Sequence, residues 1–179
     1  MSAVSRIRGV TLVELMIIIV VIGILATIAI PSFQEIIRRN QIASQNNELV
    51  ALIHMARNEA IRRNPLGVGV DSTVRLELVP GAGTWAGNVR PPGSTEPVAG
   101  CPVGAVRCSA GRNADLSGAV DLRFDNRGYS VVLAGGSLGL ADVIELSLVH
   151  VNCTNDLHAR RIRVLPTGQV LSEPRPCSD

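Results

Sequence analysis

Residues 10–30, VTLVELMIIIVVIGILATIAI, constrain this chain more than any other stretch. They are apolar except for Thr11, Glu14, Gly23 and Thr27, and the basic leader MSAVSRIRG precedes them. Roughly 20 apolar residues at ~1.5 Å each span the hydrocarbon core of a bilayer. A membrane helix is therefore expected at the N-terminus, and the rest of the chain must be cargo on it.

Three features make the segment more specific than an ordinary anchor. The leader carries Arg6 and Arg8 and no acid, and the small Gly9 stands at its border with the apolar run. That order marks cleavage before the apolar segment, whereas a secretory leader is cut after it and loses it. With Val10 as first mature residue, Glu14 is the fifth, a lone carboxylate inside the run. An acid inside a membrane is costly, so it is a functional-site hypothesis by default, and its natural partner is a cationic amine. A plain signal anchor and a secretory leader cut near Ala29 are the alternatives.

The arrangement RGVTLVEL, a long apolar run and Pro31 resembles the class III signal of type IV pilins and their relatives in type II secretion. The resemblance implies cleavage after Gly9 by a prepilin peptidase and N-methylation of Val10, a position where the family more often has Phe. It also implies that Glu14 pairs with a neighbouring subunit's N-terminal amine in a fibre. In a low-dielectric bundle an unpaired carboxylate is penalised and a paired one sets axial register.

At 179 residues, 46% of them hydrophobic and 2% aromatic, the chain has room for one anchor and one modest domain. The formal charge of +2 lies in the leader: without Arg6 and Arg8, 15 arginines face 15 acids. There is no lysine, a compositional bias that needs no special purpose. A near-neutral mature chain is not a bulk polycation seeking nucleic acid. The leader's arginines favour a cytoplasmic N-terminus, which puts Cys101, Cys108, Cys153 and Cys177 in an oxidising compartment. Four cysteines allow three connectivities; the favoured one pairs Cys101 with Cys108 and Cys153 with Cys177. Zinc is the less favoured alternative, since no C-x-x-C pair or finger spacing occurs.

Pro31 cannot donate to the carbonyl of Thr27, so the helix should kink or loosen there without having to end. Beyond it Leu49, Leu52, Ile53, Ala56 and Ala60 form a helical stripe, with Gln45, Asn46, Glu48, Arg57, Glu59, Arg62 and Arg63 mostly on other faces. Asn64-Pro65 is the expected stop. One helix over residues 10–63 would reach roughly 80 Å, and its second half must pack on something.

The remainder reads as short strands at 66–70, 73–79, 119–124, 129–134, 143–151, 160–165 and 169–172. VRLELV and RRIRVL alternate apolar and polar residues, the pattern of a sheet with one buried face. DNRG at 125–128 and PTG at 166–168 read as tight turns. Residues 80–114, rich in Gly, Pro, Ser and Ala, read as one long loop holding Trp85 and the first cysteine pair. No internal repeat is present.

HMARNEAIRRN at 54–64, TWAGNV at 84–89, RFDNRG at 123–128 and RVLPTGQV at 163–170 resemble, in order, the GspH/FimT-type minor pilins and pseudopilins. The resemblance covers nearly the whole chain. It implies an α+β fold in which a long N-terminal helix packs on a C-terminal antiparallel β-sheet head. The expected organisation is a leader over 1–9, a transmembrane and fibre-core helix over 10–30, its amphipathic continuation over 31–64 and a periplasmic β-rich head over 65–179. The implied partners are the prepilin peptidase, other minor and major pilins, the inner-membrane assembly platform and the membrane itself.

Nothing in the sequence calls for an enzyme, a cofactor or a metal. His54, His150 and His158 are scattered, no nucleophile elbow links the Ser, Asp and His residues, and the glycines of VLAGGSLGLADV lack a strand–GxGxxG–helix setting. DNA is the serious competing partner, with Arg160, Arg161 and Arg163 as its candidate contacts. FimT-type relatives bind DNA through a tail containing G-R-x-R, whereas the matching positions here are Gly168, Gln169, Val170 and Leu171. A solvated strand face near Asp156 and Glu173 is the favoured reading of those arginines.

Overall fold

The computed structural model describes residues 10–64, 72–94, 104–118, 121–134 and 137–177. The chain divides into two compact units, the first ending at Ile37 and the second running from Arg38 to Asp179. One helix, α1 (Leu12–Arg63), supplies nearly all that is described of the first unit and the stem of the second.

In the first unit the side chains of residues 10–25 are exposed without exception, and α1 is long and apolar enough to cross a membrane. Pro31 lies inside the helix, which continues past it. Thr27, whose carbonyl loses its usual donor to that proline, turns its hydroxyl back to the Ile24 carbonyl at 2.7 Å.

In the second unit the stripe expected from the sequence is the buried face of α1: Leu49, Leu52, Ile53, Ala56 and Ala60 are each fully buried, with Ile42 extending it by two turns. The helix stops where the residue before Pro65 cannot stay helical. Asn64 takes φ +42° and closes the last turn by donating its N–H to the Ala60 carbonyl at 3.1 Å.

Among the described residues ten strands follow: β1 (Val74–Gly81), β2 (Thr84–Arg90), β3 (Arg107–Arg112), β4 (Ala114–Gly118), β5 (Asp121–Phe124), β6 (Ser130–Ala134), β7 (Ser137–Leu140), β8 (Ile144–His150), β9 (Ala159–Val164) and β10 (Val170–Pro174). They form two antiparallel sheets, one in the order β3-β2-β1-β5-β6-β7 and one in the order β10-β9-β8-β4. Register places Leu76 opposite Val89 and Leu122, and Leu146 opposite Ile162, so the alternating side chains of both sheets reach one core with the α1 stripe. The other face of the first sheet is polar. There Asp121 accepts from Arg75 and Arg123 at 2.9 and 3.0 Å, and Glu77 pairs with the buried Arg90 at 3.4 Å.

Six of the seven expected strands have a counterpart within two residues at both ends; the one expected at 66–70 lies outside the described residues. The long loop expected over 80–114 is corrected by the structure, which has β2 and β3 there and β4 starting at its end. Trp85, expected in that loop, is buried. Gly87 and Gly111 explain the difference. They are poor strand formers alone, yet a Cβ at 87 would stand 2.8 Å from a Leu52 methyl, and one at 111 would collide with the Trp85 indole. Small residues let α1 and the indole approach the strands.

Candidate functional site

The first site is the start of α1. Thr11 stands at its N-cap, and its hydroxyl accepts the Glu14 N–H at 3.2 Å while its carbonyl accepts the Leu15 N–H at 3.2 Å. Glu14 is thereby fixed as the third helical residue. T-x-x-E is the spacing of a capping box, of which the Thr11 half is formed, a local role for Thr11 that the membrane reading of the sequence passed over. An acid in the first turn is also favoured by the helix dipole. Among the described residues the Glu14 carboxylate has no hydrogen-bond or ionic partner, and it is exposed. Val10 is 66% exposed, and Gly9 lies outside the described residues.

The second site brings three distant segments together. Arg57 on α1 donates from Nε to the Gly128 carbonyl at 3.1 Å and from Nη2 to the Thr167 carbonyl at 3.3 Å. The first acceptor belongs to the turn after β5, where Asp125 Oδ1 accepts from the N–H groups of Arg127 and Tyr129 at 3.0 and 2.8 Å. The second belongs to the turn after β9, closed by the Gly168 N–H on the Leu165 carbonyl at 2.8 Å. The turns also hold each other, for Ser130 donates its N–H to the Pro166 carbonyl and its hydroxyl to the Leu165 carbonyl, both at 3.0 Å. Gly168 is required twice over. It has φ +74°, and a Cβ there would stand 2.1 Å from the Gly128 carbonyl oxygen.

Arg57 thus ties the stem to one turn of each sheet. Asn126 adds a bond to Asn64 at 3.0 Å. Both tight turns expected from DNRG and PTG are present, and their meeting on Arg57 was not legible from a residue that reads as solvated. Glu59 is likewise corrected. It is buried, not on a solvent face, and its carboxylate takes Arg62 in a two-point pair at 2.6 and 2.8 Å and Arg63 as well. The Arg62 bonds come first, and with Arg63 they hold its pKa at about 2, against the opposing effect of burial. Higher on the stem, Gln45 accepts the Trp85 indole N–H at 2.8 Å and donates to the Arg112 carbonyl.

Cys153 and Cys177 form a disulfide, S–S 2.02 Å. Cys108 is also disulfide-bonded; Cys101, its expected partner, lies outside the described residues. Arg161 and Arg163 alternate onto the face of β9 opposite Ile162, while Arg160 shares the side of Leu148. Arg163 pairs with Glu173 at 3.1 Å and stands opposite Glu145. The three arginines are therefore divided between two faces and interleaved with acids. His54 is exposed on α1, while His150 and His158 are buried with ring centroids 6.2 Å apart. Among the described residues no group of three or more His, Cys, Asp or Glu is placed to hold a metal.

A capped apolar helix with one acid in its first turn, continued as the stem of a two-sheet head, defines a type IV pilin-like subunit. A family model described as type II transport protein GspH matches residues 45–168, and the prokaryotic N-terminal methylation motif matches residues 4–30. The chain belongs to the GspH family. The chain is similar to a type IV major alpha-pilin of Moraxella bovis, 50% identical over 44 residues that take in 25% of this chain and 28% of that protein. A fimbrial protein of Pseudomonas aeruginosa is 49% identical over 45 residues, 25% of this chain and 29% of its own length. The chain thus spans under a third of these curated relatives. In fold it is similar to the type IV minor pilin FimU of Pseudomonas aeruginosa, with a TM-score of 0.52 and 15% identity over 78% of this chain and 96% of that one. A second crystal form of FimU gives 0.50 and 14% over 75% and 98%.

Proposed function

We propose that this protein is a minor pilin that primes or caps a type IV pilus by packing with other pilins in the inner membrane and the fibre. The observation that carries the reading is the union, in one chain, of an N-terminal methylation motif with a head of the GspH family. On this reading a prepilin peptidase cuts after Gly9 and the amine of Val10 is methylated. Glu14, whose N–H is capped by Thr11 and whose carboxylate has no partner among the described residues, meets the amine of a neighbouring subunit. Residues 10–30 pack the fibre core, and the head, held periplasmic before assembly, makes the lateral contacts. The work is binding and involves no catalysis.

The test is deletion of the gene and a count of surface pili by electron microscopy, with complementation by the wild type and by Glu14→Leu. Loss of pili restored only by the wild type is expected, with the Glu14→Leu chain stable in the membrane and poorly incorporated. Normal incorporation of that variant would remove the registration role. Gly9→Glu should leave the unprocessed chain, seen as slower migration on a gel; mobility equal to the mature protein would refute the cleavage site.

The description of the matching family, a type II transport protein, favours a second reading as a secretion pseudopilin. A deletion strain that keeps its pili but fails to release secreted enzymes would select it.

A further inference from the structure

His150 closes β8 at the point where the chain leaves the sheet for the connection to β9, and it is buried. Its Nδ1 accepts the Asn152 N–H at 3.0 Å, so the ring is neutral and carries its hydrogen on Nε2, which donates to Gln41 Oε1 of α1 at 2.9 Å. One imidazole therefore joins the stem to the connection. The same connection holds His158, whose Nδ1 accepts the Thr154 N–H at 3.2 Å, and Cys153, whose disulfide ties down the C-terminal tail at Cys177.

We propose that His150 is a proton-operated latch between α1 and the β8–β9 connection, closed while the ring is neutral and opened when Nδ1 takes a proton from solvent. A protonated Nδ1 would set a donor against the Asn152 N–H, which must then turn away. The new cation would also be badly placed. From α1 it faces Arg38 and from the connection His158, while the residue opposite it on β4 is the uncharged Ala114. Asp115 lies on the other face of β4, accepting the Gly83 N–H at 2.6 Å, and Asp156 is exposed in the turn Asp156–His158. Burial first, then His158 and Arg38, push the His150 pKa below 6.5. With the folded value below the unfolded one, the stabilisation is complete above about pH 6.5 and is lost as pH falls through the folded value. Opening frees the start of the connection from Gln41 on the stem, with the disulfide still joining Cys153 of that connection to the tail at Cys177.

The test uses the full chain with disulfides intact in detergent micelles, followed by ring nitrogen-15 spectra and amide hydrogen exchange from pH 7.5 to 5. At pH 7.5 His150 should show the Nε2–H tautomer. On acidification the Asn152 amide should lose protection on the order of tenfold, corrected for intrinsic exchange, in step with ring protonation. In His150→Gln, which cannot titrate, Asn152 protection should not change with pH. A ring that protonates with Asn152 still protected, a ring that stays neutral down to pH 5, or the same acid-dependent loss in His150→Gln would each overturn the latch.

Discussion

At the scale of single residues, the head depends on polar side chains that the stem carries inward. Glu59 is the plainest case, a carboxylate at 8% side-chain exposure whose partner Arg62 is 68% exposed. Because its folded pKa of about 2 lies below the ordinary carboxylate value of 4.5, its contribution is complete above about pH 4.5 and is lost as pH falls toward 2. Replacing it by Gln should therefore cost about 1 kcal/mol at neutral pH, after discounting for solvent screening at Arg62, and should flatten the acid limb of a stability curve. Denaturant unfolding at a series of pH values measures both; an acid limb as steep as the wild type's would show that other groups set it. Arg57 is read the same way. Its guanidinium reaches two backbone carbonyls from turns 38 or more residues apart in sequence, a relation that no local pattern encodes.

At the scale of elements, α1 illustrates how far periodicity carries. The step of its apolar residues predicts the buried face, and Asn64-Pro65 predicts the end. Strands β2 and β3 are the contrary case. TWAGNVR and RCSAGR hold small and polar residues, and only the approach of Leu52 and Trp85 makes a glycine the fitting choice. The Gln45 bridge from α1 to Trp85 and to the Arg112 carbonyl helps fasten these strands to the stem, beside the Glu48–Arg107 ion pair at 3.2 Å. Gln45→Leu should leave the buried indole N–H without an acceptor and destabilise by about 1–3 kcal/mol. As Trp85 is the single tryptophan, its fluorescence reads both the loss and any local exposure. An unchanged spectrum and midpoint would mean that the bridge contributes nothing.

At the scale of the whole molecule, two sheets and the second half of α1 share a core, and a disulfide secures the C-terminal tail. The Cys153–Cys177 bridge closes a loop of sequence separation 24, for which the chain-entropy model gives roughly 3 kcal/mol. The double variant Cys153→Ser, Cys177→Ser should lose about that much, with cleavage by protease near the C-terminus appearing before the core unfolds. If the variant unfolded at the wild-type denaturant midpoint, the tail would be held by β10 pairing alone.

The sequence by itself determined the apolar stem, its single acid, the stripe from Leu49 to Ala60, the two tight turns and the strands that alternate cleanly. Each of these depends on spacing along a few turns or a few residues, where local geometry dictates which side chains share a face. Only the tertiary structure decided that residues 84–112 pair as strands, that the head has two sheets, and that Gln45, Arg57, Glu59 and His150 turn inward. A small residue becomes a strand former, and a charged one a clamp, only when another part of the chain arrives to pack on it or accept its hydrogen bonds.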